Sequence, residues 1–479
     1  LTFEEKLADP TDLDGLREAL RAADPEGRLA PLGMGRIEIG PDASGFLPEA
    51  VLELVGDEGG RVVLVTDATP IRRGSEDLKE MAGRLLREAG FTVERAVVGA
   101  GHDELHADEE AIAEAEAAVA GADCVVVVGS GTISDVCKVA TAQTGGTPLV
   151  VVQTAASVNG YSDDVSVLLK SGVKRTVPSR WPDVLLADLP TLAEAPHAMN
   201  AAGYGDAIAM YTGPADWYLA SLVGMDDSYH PAPIEMVLGY GPDLVESAGA
   251  VRRHEPEALE KLVRALTLGG IAAGVTGTTA CLSGTEHLVS HLLDMNAGQK
   301  GLPFAFHGAQ VGVAMLPVAA AWEVLLAEFD PSTVDVGACF PEPEAMEPVV
   351  REAFAGIDPT GAMSDECWGD YNKKLVRWRE NRETFEAFLN DWPRHRAELK
   401  EMVAPPEKLA GALTGAGAPA RFGELDPPAS PEVVRWALGN CHLMRNRFTV
   451  ADLLFFLGWW DDAFVERLLD RARSAGGGL

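Results

Sequence analysis

Two patterns of apolar and polar residues divide the chain. Between residues 36 and 157 short β-branched runs recur: RIEIG (36–40), RVVLVTD (61–67), FTVERAVVG (91–99), CVVVVGSG (124–131) and TPLVVVQTAAS (147–157). Each is a short apolar run ended by a polar residue or glycine, the pattern of a buried strand. The intervening segments FLPEAVLELVG (46–56), SEDLKEMAGRLLREAG (75–90), DEEAIAEAEAAVAGA (108–122) and ISDVCKVATAQTG (133–145) carry apolar residues at helical spacing, and Gly90 closes the second of them. Strand and helix alternating at these lengths predict a parallel sheet with helices on its faces. Right-handed crossovers make that a doubly wound, Rossmann-like domain. Residues 1–35 read as a short helical lead-in.

After LLADLPTLAEAP (185–196) helical periodicity dominates to the end of the chain. The pattern therefore predicts an α/β domain over 1–190 and a helical domain over 191–479. Two stretches rich in Pro, Gly and acidic residues, 225–256 and 330–432, read as loops or inserted helices. The basic and aromatic run NKKLVRWRENRETFEAFLNDW (372–392) reads as a solvated amphipathic helix.

The 479 residues suffice for two sizeable cores. The formal net charge of −34 excludes nucleic acid and anionic membrane surfaces as partners, and an anionic substrate requires a local basic pocket or a metal. Cys124, Cys137, Cys281, Cys339, Cys367 and Cys441 form no CxxC pair, which suits a reducing cytoplasm. The N-terminus shows no signal-peptide pattern, and no run of about 20 residues lacks a charge or a breaker, so no membrane span is expected.

Chemistry concentrates in SGTEHLVSHLLDMNAGQKGLPFAFHG (283–308). His287 and His291 share a helix face at i, i+4, and His307 opens a second helix-like run; two helices can bring His287 and His307 around one cation through neutral imidazole nitrogens. In MNAAGYGDAIAM (199–210) Asp206 sits early in a helix, either as its cap or as a third ligand completing an open Asp/His/His site. In VVVVGSGTISD (125–135) a buried strand runs through Gly129, Ser130, Gly131 and Thr132 into a helix, a turn that suits a pyrophosphate or simply a tight connection. In VVQTAASVNGYSDD (151–164) a strand delivers Thr154, Ser157 and Asn159 to its C-terminal end, where open α/β sheets bind ligands. Asp67, ending RVVLVTD, is placed to accept a ribose hydroxyl and so to favour NAD over NADP.

These stretches together resemble the sn-glycerol-1-phosphate dehydrogenase family, including its AraM-like branch, within the iron-containing alcohol dehydrogenase and dehydroquinate synthase-like superfamily. The similarity is carried by GSGTISD, TAASVNG, AGYGD followed by ADW (215–217), SGTEHLVSH, FHGAQVGV (306–313) and MRNRFTVADLLFFLG (444–458), in this order along the chain. The resemblance implies a dehydroquinate synthase-like fold with an active-site cleft between the two domains, and makes 1–190 the dinucleotide-binding domain and 191–479 the metal- and substrate-binding domain. It also implies a cytoplasmic homodimer that uses NAD or NADP and one divalent ion: zinc, nickel or iron. By motif match, Asp206, His287 and His307 are the metal ligands and His291 faces the substrate. Gly129, Ser130, Gly131, Thr132 and Asp135 lie along the cofactor, with Thr154 and Ser157 beside it.

Three positions depart from the family pattern. Asn159 stands where a substrate-contacting Asp is usual, Asp163 where a Ser meets the cofactor, and Met210 where a Lys is common. The added carboxylate of Asp163 and the lysine lost at Met210 disfavour a phosphorylated substrate, whereas Lys170, Lys174 and Arg175 offer a basic pocket for one. The expected activity is a metal-dependent, NAD(P)-linked interconversion of a small hydroxy/keto substrate of the glycerol-1-phosphate/dihydroxyacetone phosphate kind. The alternatives are a dehydrogenase of another polyol or keto compound, a dehydroquinate-synthase-like cyclase (a lyase), and a non-catalytic nucleotide-binding protein.

Overall fold

The computed structural model describes residues 8–56, 59–101, 105–170 and 173–479, without the side chains of residues 170, 173 and 174. The strands among the described residues are β1 (Arg36–Gly40), β2 (Arg61–Thr66), β3 (Arg72–Arg73), β4 (Glu76–Asp77), β5 (Thr92–Val97), β6 (Cys124–Gly129), β7 (Leu149–Gln153), β8 (Val165–Lys170), β9 (Val173–Pro178) and β10 (Val184–Asp188). Six of them form one sheet in the order β1-β10-β7-β6-β2-β5, and every pairing in it is parallel.

Each residue of β6, β7 and β10 is buried. That is why these strands read as continuous Val/Leu runs instead of alternating ones: in a parallel sheet, helices cover both faces. Strand β5 lies at the sheet edge, and none of its residues is buried. It carries Glu94, which pairs with Arg61 on β2 at 2.8 Å. The predicted helices form over Leu47–Val55, Leu78–Glu88, Glu109–Val119 and Gly131–Gln143, and the lead-in contributes Leu13–Ala23.

Three strand features escape the hydrophobic pattern. The pairs β3/β4 and β8/β9 are antiparallel hairpins outside the main sheet; β3 and β4 are two-residue charged strands, and β8 (VSVLLK) is apolar in sequence but has no buried run among the described side chains. Strand β10, which the sequence pattern did not single out, inserts between β1 and β7.

The chain divides into two compact units, Leu1–Ala207 with Pro231–Gly277, and Ile208–His230 with Thr278–Leu479. The first holds the parallel sheet; the second is largely helical. The stretch 330–432, read as loops or inserted helices, folds into helices Pro343–Ala355, Ala362–Glu380, Arg382–Asn390, Trp392–Met402 and Pro406–Ala416. The basic run within it is not fully solvated. Trp378 is completely buried and stacks on Phe340, Phe448 and Phe456. Lys374, also buried, pairs with Asp452 at 2.5 Å. One face of this helix therefore belongs to the core, which the density of charges on the other face obscures in sequence.

The helix His307–Glu328 is long and apolar enough to cross a membrane, but 94% of its apolar window is buried inside the protein, so it is a core helix. All six cysteines are free and buried.

Candidate metal centre and cofactor turn

Strand β6 ends at Gly129 and the helix Gly131–Gln143 follows at once. Ser130 holds the N-cap position, yet its side chain makes no cap hydrogen bond among the described residues, and the first turn contains no acidic residue. The leading N–H groups are thus left for an anion, with the helix dipole behind them. A Cβ on Gly129 would lie 2.2 Å from Ile133 Cγ2, so a larger residue here would force that side chain to shift. Ser130, Gly131 and Thr132 are half-buried, whereas Thr154 and Ser157 are buried. Thr66 Oγ1 and Gln153 Oε1, at the C-terminal ends of the strands flanking β6, are buried without a partner among the described residues. Tyr161 is buried with its hydroxyl 3.4 Å from Ser157 Oγ; sequence reading passed over it, because a lone tyrosine in a polar loop carries no signal.

Asp135 and Asp163 meet at Lys138. The Lys138 ammonium contacts Asp163 Oδ1, lies 3.4 Å from Asp135 Oδ1 and donates to the Gly160 carbonyl at 2.9 Å. Burial alone would lower the lysine pKa, but the two carboxylates hold it above its ordinary value. Two carboxylates facing one buried ammonium leave one negative charge in excess. Burial accordingly pushes Asp163 up to about 7, against the pull of Lys138. The charge that Asp163 adds is thus met by Lys138 inside the first unit. Asp67 is engaged in a similar way: its Oδ1 accepts from Lys79 Nζ at 2.9 Å and from the Thr69 amide at 3.1 Å.

The helix His197–Ile208 carries Asp206 in its last turn, not early as its sequence suggested. This excludes the N-cap role. A carboxylate there opposes the helix dipole, a cost of about 0.3–1 kcal/mol in exposed settings, so the position calls for another purpose. The Asn159 amide donates to Asp206 Oδ2 at 3.3 Å. The approach is set by Gly203, where a Cβ would lie 1.8 Å from the Ala156 carbonyl oxygen; the helix backbone rests directly on the loop after β7.

Asp206, His287 and His307 each offer a ligand atom, and all three atoms lie within 4.8 Å of one another. His287 sits in the first turn of the helix Thr285–Gln299, and His307 opens the helix His307–Glu328. Glu286 Oε1 lies 2.9 Å from His287 Nδ1. That carboxylate is held by the Gly284 amide at 2.7 Å and the Thr212 hydroxyl at 3.0 Å. Since a carboxylate accepts, His287 donates from Nδ1 and presents Nε2. His307 Nδ1 lies 3.1 Å from Ser290 Oγ. Beside Glu286, Asp216 accepts from the Thr285 amide at 2.7 Å, and burial together with the Glu286 charge pushes it up to about 7. Two imidazoles and one carboxylate, with outer atoms committed to partners, are a donor set that fits a divalent cation and keeps positions open for substrate.

His291, one turn after His287, stacks on His307 at 5.8 Å between ring centroids. Asn159 adjoins Asp206 through its backbone, as given above. Met210 is buried. Lys174 and Lys170 lie on the β8/β9 hairpin, but their side chains fall outside the described residues.

The family profile described as iron-containing alcohol dehydrogenase matches residues 38–196. A glycerol-1-phosphate dehydrogenase, NAD(P)+-linked by name, from Geobacillus thermodenitrificans is 31% identical over 332 residues, covering 68% of this chain and 70% of the relative. The enzyme of the same name from Halalkalibacterium halodurans is 29% identical over 294 residues, covering 60% and 71%. Among solved structures, maleylacetate reductase from Agrobacterium tumefaciens shares the fold with a TM-score of 0.55 at 17% identity, covering 92% of this chain and 97% of that one. The chain belongs to the glycerol-1-phosphate dehydrogenase family of the iron-containing alcohol dehydrogenase superfamily. It is an NAD(P)-dependent, alcohol dehydrogenase-type enzyme whose cofactors are NAD(P) and a divalent metal.

Proposed function

We propose that the protein interconverts dihydroxyacetone phosphate and glycerol 1-phosphate, with Asp206, His287 and His307 holding the metal. The convergence of those three donor groups within 4.8 Å carries the reading, and the relatives' printed names supply the substrate. When bound, the metal supplies Lewis acidity toward the substrate oxygen and the nicotinamide supplies or receives the hydride. The Gly129–Thr132 turn holds the cofactor diphosphate on the helix N-terminus, which fixes the nicotinamide relative to the substrate. His291 orients a substrate hydroxyl and hands a proton to, or takes one from, the reacting oxygen by way of solvent. Asn159 donates a hydrogen bond to the substrate without adding the negative charge an aspartate would bring against phosphate. The neutralisation of Asp163 by Lys138 supports the same substrate, because the extra carboxylate presents little field to an incoming phosphate. Lys174 and Arg175 are assigned to phosphate. Asp67 keeps Oδ2 for a ribose hydroxyl, since Lys79 and Thr69 both use Oδ1, and this favours NAD. The reading carries a cytoplasmic homodimer; six free cysteines suit a reducing compartment.

The test is NADH and NADPH oxidation by enzyme reconstituted in turn with zinc, nickel and iron(II), offered dihydroxyacetone phosphate, dihydroxyacetone and other small ketones. Turnover strongest with the phosphorylated ketone supports the proposal. Preference for an unphosphorylated ketone, or a reaction that returns NAD unchanged, contradicts it.

A further inference from the structure

The helices Thr285–Gln299 and His307–Glu328 face each other through a chain of buried side chains that leads away from His307. His307 Nδ1 lies 3.1 Å from Ser290 Oγ, Ser290 Oγ lies 2.7 Å from Gln310 Oε1, and Gln310 Nε2 lies 2.9 Å from Asp294 Oδ1. Ser290 is fully buried, and Gln310 and Asp294 are 4% exposed. Gln310 is one turn from His307, and Ser290 and Asp294 are one turn apart on the facing helix, so the helical repeat itself aligns the four groups.

The direction of every bond in this chain follows from its far end. The Asp294 carboxylate only accepts, so the Gln310 amide must turn its NH₂ toward it and its oxygen toward Ser290. That oxygen also only accepts, so the single Ser290 hydroxyl hydrogen points at Gln310. Ser290 Oγ is then left as an acceptor toward His307, whose Nδ1 must carry the hydrogen. The geometry points to Asp294 as a positioning residue that, through Gln310 and Ser290, locks His307 in its Nδ1–H tautomer and keeps Nε2 as the metal-facing lone pair. His287 reaches the same tautomer by a separate device, its direct bond to Glu286. The two imidazoles are thus fixed independently, one by a carboxylate in contact and one by a carboxylate three hydrogen bonds away. The inference rests on the metal assignment for the ligand role of Nε2, but the tautomer itself is a property of the metal-free protein.

Asp294→Asn removes the directionality, because an amide can present either its oxygen or its NH₂ to Gln310. A reversed chain would have Ser290 donate to His307 Nδ1 and move the imidazole hydrogen to Nε2. The experiment is ¹⁵N-histidine NMR of the metal-free full-length protein at a pH where the imidazoles are neutral, with His307 assigned from a His307→Asn variant. Chelator competition for cobalt(II) or zinc accompanies it. The wild type is expected to show His307 as the Nδ1–H tautomer. Asp294→Asn and Ser290→Ala are each expected to erode that population and to weaken metal binding about ten-fold, the low end of the effect of losing an outer partner of a ligand. The double variant should lose little more than either single one, because both act through one chain. The His287 tautomer, set by Glu286, should not move in any of them, which separates the effect from a general loss of structure. An unchanged His307 tautomer in Asp294→Asn, fully additive losses, or a concerted shift of His287 overturns the inference. Wild-type protein that shows the Nδ1–H tautomer but binds no metal refutes the metal assignment instead.

Discussion

Glu286 and His287 are neighbours in the chain and partners in space: Glu286 Oε1 lies 2.9 Å from His287 Nδ1, at the start of the helix Thr285–Gln299. The same carboxylate caps the Gly284 amide and receives the Thr212 hydroxyl, so it is fixed before it meets the imidazole. One residue therefore both finishes the helix start and orients the His287 imidazole.

From this pairing, Glu286→Gln is expected to keep the fold and to weaken metal binding about ten- to a hundred-fold, as removal of the charged outer partner of a ligand histidine does. Competition against a chromophoric chelator measures it. Binding as tight as in the wild type would mean that Glu286 serves the helix start alone.

Gly203→Ala places a methyl 1.8 Å from the Ala156 carbonyl oxygen, a backbone atom with little room to yield. The expected result is a loss of about 1–3 kcal/mol in stability from overpacking, together with weakened metal retention, because the same helix carries Asp206. Denaturant unfolding and metal analysis read the two effects. An unaltered midpoint and full metal content would show that the helix shifts freely on the loop.

The Asp163 carboxyl, raised from 3.8 to about 7 by burial, makes stability depend on pH. Between those values the folded protein holds a proton that the unfolded chain has released. Stability from this group is therefore present below about pH 4 and lost as pH rises toward 7. Asp163→Asn removes the term, so its stability relative to the wild type should rise between those limits. Parallel urea titrations across this range test the slope; identical slopes in the two proteins would contradict the assignment.

The net charge of −34 repels itself at low ionic strength. The melting temperature is expected to rise with added salt well beyond about 0.1 M, where the screening length is already about 10 Å. Calorimetry in sodium chloride and in a neutral osmolyte of equal osmolality distinguishes screening from solvent exclusion; a melting temperature flat in salt would show that the acidic groups are paired or too dispersed to matter.

Much of this arrangement was legible in the residues. The β-branched runs named the central strands, because a strand covered on both faces has no polar alternation to confuse it. The proximity of His287, His307 and Asp206 was foreshadowed by the ordered set of motifs, since the histidine spacing alone is not specific. What escaped depended on contacts between distant segments. Asp206 ends its helix instead of beginning it, since nothing in AGYGD marks which end is near. Lys138 reads as one more helix residue until Asp163 arrives 25 positions later. Glu286, Ser290, Gln310 and Asp294 are ordinary helix residues whose pairing exists only once the two helices face each other. Strand β10 was hidden by the leucine-rich run that continues into the helix Leu189–Glu194.

The most direct test of the account is the metal content of purified wild-type protein and of His307→Ala, measured by mass spectrometry on the samples used for NADH oxidation with dihydroxyacetone phosphate. The expected result is one divalent ion per wild-type chain, turnover that follows that content, and loss of both in the variant. A His307→Ala protein that retains its metal and turns over at the wild-type rate would contradict the site, and with it the role given to Asp206 and His287.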